Sequence, residues 1–280
     1  MTGQYKTLAV KTRYWKPKDD YITDIISAIK TVVNDGDFVT ISEKAVSTAL
    51  GNLIDENKIK PSSLAHFIAK YWMRIVWPYV LGPVCHLRKK TIDYLRAYPV
   101  EEGSRHKQLA IQRSGFLQAL MHGSEGGIDG SNLAFSSVCL PLENADEVVS
   151  ELRERIYRKL GKKVSVAVVD TDKTYSLKGF HFTPRPKPIK GIFSVGGFLA
   201  YVIGRSFKLK KRATPLALSG SKLSTENAIE IAKIANRTRG AGAGRTVWDM
   251  AKNFNVSLTE VTWEMLEQTE HRPVVLIRFK

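Results

Sequence analysis

Cysteine is scarce in this sequence of 280 residues, which contains only Cys85 and Cys139. Two cysteines are too few for the disulfide framework of a small secreted domain or for a four-thiolate zinc site. None of the six histidines has a second histidine or a cysteine at zinc-ligand spacing, which argues against a zinc site as well. Residues 1–10 lack the apolar run of a signal peptide, so we expect a cytoplasmic protein.

Long apolar runs and two common catalytic motifs are also missing. The most apolar stretches, residues 75–85 and 191–203, are shorter than the roughly 18–20 residues of a membrane-spanning helix, so we predict no membrane partner. No Gly-x-Ser-x-Gly elbow follows a strand, which argues against a serine hydrolase. The glycine loop at residues 240–244 lacks the Gly-Lys-Ser/Thr of a Walker A motif.

Acidic residues are absent from residues 173–222, where 11 Lys and Arg side chains occur. The whole chain has 43 Lys and Arg against 27 Asp and Glu, a net charge of +16. Two interpretations remain open for this segment. It binds an anionic partner, such as nucleotide phosphates, a nucleic acid or an acidic protein, or it is a solvated basic face.

The remaining composition, 43% hydrophobic and 25% charged, is that of a globular protein. Predicted helices and strands alternate without an internal repeat, which favours an α/β (mixed α+β) fold. The main predicted elements are helices over 21–33, from Asn144 to Gly161 and from Ser224, and strands over 38–41, 109–113, 164–169 and 274–277.

Polar chemistry concentrates in four segments: residues 42–44 after a strand, the glycine-rich residues 123–132, residues 170–172 after a strand, and the basic glycine loop at 237–245. Asp129 and Asp170 are hard oxygen donors that suit Mg²⁺ or Mn²⁺ bridging phosphates. The alternative is that Asp129 is a turn residue and Asp170 a cap. The residue types alone leave both interpretations open.

Three segments, residues 35–47, 126–132 and 166–171, resemble in sequence and order the coenzyme F-420-0:L-glutamate ligases, which are gamma-glutamyl ligases. Residues 16–20, 140–142 and 272–276 extend the resemblance over most of the chain.

The resemblance implies a two-domain α/β fold and an intertwined homodimer. We predict a main ligase-like domain over 1–190, completed by 246–280, and a smaller basic subdomain over 191–245. The implied reaction is GTP-dependent amide formation with Mg²⁺ or Mn²⁺. GTP would phosphorylate a carboxylate of a phosphorylated acceptor, and L-glutamate would attack the resulting acyl phosphate.

The resemblance also assigns site residues, although no catalytic side chain among them. The metal positions are Asp129, Asp170 and Thr171. The nucleotide positions are Arg13, Lys44 and Asn132. Gly240 and Gly242 are further nucleotide candidates, because the backbone N–H groups of a glycine loop can surround phosphates.

The chain departs from the family pattern at several of its polar positions. Leu50 stands where the ligases carry Glu, residues 172–174 replace a Gly-Arg run, and Ala241 replaces an acidic metal ligand. A Trp-containing stretch at residues 246–270 is additional, and Asp172 or Asp249 is a candidate replacement ligand. Two alternatives therefore accompany the ligase hypothesis: a relative that binds a phosphorylated ligand without ligating it, and a basic nucleic-acid-binding protein.

Overall fold

A computed structural model describes residues 4–279, so residues 1–3 of the segment examined for a signal peptide lie outside it. The strands are β1 (Tyr5–Thr12), β2 (Phe38–Ser42), β3 (Leu53–Asp55), β4 (Ser137–Cys139), β5 (Ser165–Leu177), β6 (Phe180–Thr183), β7 (Phe193–Ser194), β8 (Lys210–Ser219) and β9 (His271–Phe279). The α-helices are α1 (Tyr21–Ile29), α2 (Glu43–Ala49), α3 (Ser63–Phe67), α4 (Gly82–Val84), α5 (Lys89–Arg96), α6 (Val100–Arg113), α7 (Phe116–Ala119), α8 (Ala145–Leu160), α9 (Phe198–Ser206), α10 (Thr225–Arg239), α11 (Val247–Phe254) and α12 (Trp263–Glu267). The mixed α/β fold class predicted from the sequence is confirmed.

Seven strands form one mixed sheet in the order β1-β9-β2-β5-β6-β7, with β8 paired to β5. β2 and β5 are parallel, and β9 lies antiparallel to both β1 and β2. Helices α1 and α8 cover one face of the sheet, where Ile25, Ile29 and Leu152 are buried. Helix α10 covers the other face with Ile231 and Ile234. Burial on both faces explains the nearly continuous apolar sequence of β5's first half.

Strand β5 extends beyond its predicted end. The prediction that it ends before Asp170 is wrong, because the strand continues to Leu177 across an irregularity between Asp170 and Lys173. Its first half pairs with β2 as far as Val169, and its last residues pair with β6 from Tyr175. Residues 170–174 pair with neither β2 nor β6. The sheet therefore opens at this point, and the polar residues of β5 lie in the opening.

The strand predicted over 109–113 is also wrong, because these residues form the last turns of helix α6. The first turn of α6 carries Glu101 and Glu102, which suit the positive end of a helix dipole. Leu109 and Ala110 are buried against Ile128 and Val138. The β propensity of this short run is therefore outweighed by its packing as part of a 14-residue helix.

Residues 63–84 form a continuous path of α3, a π-helical segment at Ile68–Leu81 and α4, and α5 follows at Lys89–Arg96. Trp72 and Trp77 both donate a hydrogen bond to the carbonyl oxygen of Leu120, at 2.9 and 2.7 Å. Within residues 4–279, no helix has the length and apolarity needed to cross a membrane. The segment 191–245 contributes β8 to the main sheet, and the predicted division into two domains remains a prediction.

Candidate functional site

All four polar segments identified in the sequence line one cavity of about 1190 Å³. The cavity lies where β2 ends and β5 passes its irregularity. Ser42 and Lys44 come from the β2–α2 junction, residues 123–132 form one wall, and Asp170 and Thr171 come from β5. The glycine loop that follows α10 forms another wall.

Lys44 and Asp129 form an ion pair at the end of β2. Lys44 Nζ also donates to the hydroxyl oxygen of Ser131 at 2.6 Å, and the backbone N–H of Ser131 donates to Asp129 Oδ1 at 2.7 Å. Burial opposes ionisation of Asp129, but the Lys44 ammonium outweighs it and lowers the pKa of Asp129. Asp129 is thus an ionised carboxylate with both oxygens engaged.

Arg185 is the second cation at the carboxylates, and the sequence analysis did not select it. Its side chain is only 2% exposed and reaches two carboxylates: Nε donates to Asp170 Oδ2 at 2.8 Å, and one terminal nitrogen donates to Glu43 Oε1 at 2.5 Å. The other terminal nitrogen donates to the carbonyl oxygen of Gly126 at 2.7 Å. The sequence signal was an arginine between Pro184 and Pro186 in the acid-free segment, and its buried partners are visible only in three dimensions.

Two further acids belong to this cluster. Burial raises the pKa of Glu43 to about 7 against the attraction of Arg185, which Glu43 shares with Asp170. Burial and the neighbouring Asp170 carboxylate raise the pKa of Asp172 well above its usual range. Asp172 Oδ2 is buried and has no hydrogen-bond partner. The carboxylates of Glu43, Asp170 and Asp172 thus lie around one buried guanidinium, which carries a single positive charge. This excess of acid favours the protonated form of Asp172.

The rest of the cavity wall is rich in cations, although acidic residues line it as well. Six lining Lys and Arg side chains have no ion pair with any residue in the described range 4–279: Arg88, Arg105, Lys173, Arg237, Arg239 and Arg245. Burial lowers the pKa of Lys173 against the attraction of Asp172 and Asp170, and repulsion from Arg239 and Arg245 lowers it further. These three cations therefore lie close together, and none of them forms an ion pair with the acids nearby. Such a group suits a polyanionic ligand.

Asn132 attaches the glycine loop to the site. Its Oδ1 accepts from the backbone N–H of Ala243 at 2.7 Å, and its Nδ2 donates to the carbonyl oxygen of Gly244 at 2.8 Å. A Cβ at Gly242 would lie 2.7 Å from Asn132 Oδ1, so glycine is needed there for the close approach. The loop is consequently held in one position beside the cationic wall.

The additional stretch at residues 246–270 forms α11, α12 and part of the cavity wall. Trp248 stacks on Tyr94 with ring centroids 5.1 Å apart and an interplanar angle of 11°. Lys90 lies over the Tyr94 ring and forms a 2.5 Å ion pair with Asp249. Asp249, a candidate replacement ligand, is therefore paired with a cation.

A buried ionic network lies beside the glycine-rich wall. Glu125 forms ion pairs with Lys107 and with His106, whose Nε2 lies 2.9 Å from Glu125 Oε2. The other ring nitrogen of His106, Nδ1, lies 2.6 Å from Glu56 Oε1. Burial opposes protonation of His106, but Glu56 and Glu125 raise its pKa to about 10. Burial also opposes ionisation of Glu125, yet Lys107 and His106 lower its pKa to about 2. The network fixes the glycine-rich segment to α6 through charge.

The structure brings seven of the eight site residues predicted from the sequence into the cavity wall: Lys44, Asp129, Asn132, Asp170, Thr171, Gly240 and Gly242. Arg13 is not among the lining residues, and its guanidinium pairs with Asp19 and Asp24, both at 2.8 Å. Leu50 lies outside the wall and is 43% exposed, whereas Ala241 is part of it. The roles assigned to these residues remain predictions.

The side chains present do not fit a resident divalent metal. Lys44 and Arg185 occupy oxygens of Asp129 and Asp170, the two carboxylates assigned to it. Among residues 4–279, no group of three or more His, Cys, Asp and Glu side chains is arranged to hold a metal ion. The requirement for Mg²⁺ or Mn²⁺ therefore remains a prediction from the resemblance alone.

The amino-acid sequence is similar to a known protein family and to two proteins of one archaeal species. The family model of the F420-0:gamma-glutamyl ligases matches residues 9–246. Uncharacterized protein MJ1361 of Methanocaldococcus jannaschii is 38% identical over 284 residues, which cover 97% of this chain and 95% of that protein. Coenzyme F420:L-glutamate ligase of the same organism is 29% identical over 139 residues, 50% of this chain and 49% of that enzyme. The family predicted from the sequence motifs is confirmed.

Proposed function

Because the chain belongs to the F420-0:gamma-glutamyl ligase family, we propose that it is a GTP-using ligase that joins L-glutamate to a carboxylate of a phosphorylated acceptor. The observation that carries the proposal is the cavity of about 1190 Å³, which combines the family's motif residues with six cations that have no ion pair within residues 4–279. Its volume exceeds the roughly 300–1,000 Å³ of ordinary ligand pockets, as expected for a site that takes more than one substrate.

The proposed first step transfers the γ-phosphoryl group of GTP to a carboxylate oxygen of the acceptor. The bond between the γ-phosphorus and the bridging oxygen breaks, GDP leaves with the electron pair, and an acyl phosphate forms. Negative charge on the transferring group is stabilised by positioned cations. Lys173, Arg239 and Arg245 supply such charge at the cavity wall.

In the proposed second step, the amino nitrogen of L-glutamate attacks the acyl carbon. Phosphate leaves with the electrons of the carbon–oxygen bond, and the nitrogen loses a proton, which gives the amide. The chain's part is to hold both carboxylates of the glutamate and the phosphate of the acceptor among lining guanidinium groups, because planar guanidinium binds such anions in bidentate fashion.

The test is a reaction of the purified protein with GTP, L-glutamate and coenzyme F420-0, followed by mass spectrometry of the acceptor and quantitation of GDP. We expect the acceptor to gain one or more glutamyl residues and one GDP to form for each. The variant Lys173→Met should lower kcat/KM for GTP about tenfold or more. Lys222→Met, an exposed lysine outside the cavity wall, should leave it unchanged.

A second candidate is a relative that binds a phosphorylated ligand without ligating it. Engagement of both Asp129 and Asp170 by cations favours this candidate. It predicts ligand binding with no GDP formation for any carboxylate acceptor tested. GDP formation that depends on an acceptor excludes it.

A further inference from the structure

We infer that side-chain cations of this chain do the electrostatic work that the resemblance assigns to a divalent metal, so that the cavity binds a polyphosphate group without Mg²⁺ or Mn²⁺. The inference rests on the proposed function for the nature of the ligand. It goes further by assigning the charge compensation to named residues.

The carboxylates that would bind a metal are already bonded. Asp129 pairs with Lys44 through one oxygen, and its other oxygen accepts the Ser131 N–H at 2.7 Å. Asp170 accepts from Arg185 Nε at 2.8 Å. A divalent ion at either of these paired oxygens would have to displace an ammonium or a guanidinium or lie beside it. Two cations at one carboxylate oxygen repel each other, which weakens binding of the metal.

Arg185 cannot easily leave its place. Its guanidinium donates to Glu43, Asp170 and the Gly126 carbonyl, and its backbone N–H donates to Thr183 Oγ1 at 3.2 Å. If the side chain moved away, Glu43 and Asp170 would remain largely buried without their ion-pair partner, which is strongly unfavourable. The guanidinium is therefore a permanent part of the site.

The remaining cations face the space for the ligand. Lys173 lies on β5, Arg239 ends α10, and Arg245 closes the glycine loop, so three different elements direct positive charge into one cavity. None of the three has an ion pair with a residue in the range 4–279. Phosphate oxygens match the fork geometry of arginine. The ligand class is thus a chain of linked phosphates, as in a nucleoside triphosphate.

The experiment is calorimetric titration of the intact protein with inorganic tripolyphosphate, once in EDTA and once with Mn²⁺. We expect the two dissociation constants to agree within about threefold, because the counter-charges belong to the protein. Mn²⁺ alone, followed by electron paramagnetic resonance, should stay free in solution.

Arg239→Gln and Arg245→Gln should each weaken tripolyphosphate binding about tenfold in EDTA. Arg153→Gln, an exposed arginine of α8, is the matched control and should change nothing.

Tripolyphosphate binding that requires Mn²⁺, stoichiometric Mn²⁺ binding by the protein alone, or unchanged affinity in both cavity variants would each overturn the inference. Parallel titrations with GTP and ATP separate it from the proposed function. GTP binding only with Mn²⁺ overturns the inference and leaves the ligase proposal standing. Tripolyphosphate binding in EDTA without binding of either nucleotide supports the inference and overturns the use of GTP.

Discussion

Arg185 determines the balance of charge at the candidate site. One guanidinium forms ion pairs with both Glu43, which directly follows β2, and Asp170, which lies within the neighbouring strand β5. Both acids are largely buried, with side chains 5% and 11% exposed. Burying a carboxylate is costly unless a cation or hydrogen-bond donors compensate it. The arginine thereby allows two acids to lie in the centre of the protein.

The variant Arg185→Met should lower the free energy of unfolding by about 3–5 kcal/mol, because it leaves two buried carboxylates unpaired. Urea denaturation at neutral pH measures the loss. Arg212→Met is the matched control: Arg212 is also buried, but its partner Glu226 is 50% exposed and regains water. We expect about 1–2 kcal/mol for the control. Equal losses in the two variants would contradict the role given to Glu43 and Asp170.

The sequence motifs predicted the acids and amides of the cavity better than its cations. Asp129, Asp170 and Asn132 lie in short motifs that the family resemblance identifies, so their common location follows from it. Arg185 and Arg239 lie in segments where basic residues are frequent, and an arginine in such a segment does not indicate its partner. Their contacts depend on how distant segments meet in the fold, which local spacing does not encode.

At the scale of elements, the end of β2 and the irregularity in β5 explain why the site forms where it does. The pairing of these two parallel strands stops at Ser42 and Val169, and polar side chains collect where it stops. The sequence predicted this place from the apolar runs followed by polar residues. It missed the continuation of β5 to Leu177, because pairing of this half with β6 and β8 depends on residues well beyond the motif.

The glycine-rich wall supports the buried arginine through Gly127. This glycine has φ +99°, and a Cβ there would lie 2.4 Å from the guanidinium carbon of Arg185. Gly127→Ala should therefore cost about 2 kcal/mol or more in the free energy of unfolding. Gly123→Ala in the same wall meets open space and should cost nothing measurable. Thermal unfolding of the two variants side by side tests this, and equal melting temperatures would contradict it.

At the scale of the whole molecule, the Glu56–His106–Glu125–Lys107 network connects the helical part of the protein to the site wall. All four groups are mostly or fully buried, with side chains at most 17% exposed. Their mutual ion pairs replace lost hydration, so global stability depends on their protonation.

His106 gives this dependence a direction. Its pKa is raised from 6.5 to about 10, so its stabilising contribution is complete below pH about 6.5 and is lost as the pH rises towards about 10. His106→Gln should thus be most destabilising below pH about 6.5, by about 3 kcal/mol, with a difference from wild type that shrinks as the pH rises towards about 10. Urea midpoints across this range measure it. The exposed His66→Gln control, next to Ser104, should give a difference that does not vary in this way.

Assembly is a second property of the whole molecule, and the intertwined homodimer implied by the resemblance remains a prediction. The π-helical segment and the turn before it expose Phe67, Tyr71, Ile75 and Tyr79, each at least 42% accessible and four residues apart. This spacing places them on one face. Light scattering should give twice the chain mass of 31.4 kDa. A mass of one chain at all concentrations would contradict the dimer.

The position of Trp248, stacked on Tyr94 at the cavity wall, allows ligand binding to be followed by tryptophan fluorescence. Of the five tryptophans, only Trp15 and Trp248 belong to the cavity wall within residues 4–279, and Trp15 is almost completely buried. Trp248 retains partial contact with the cavity space. A guanine ring or a charged group arriving beside it would change the emission of its indole. Occupancy of the site can therefore be followed by intrinsic fluorescence in the unlabelled protein, and replacing the other tryptophans would isolate that signal.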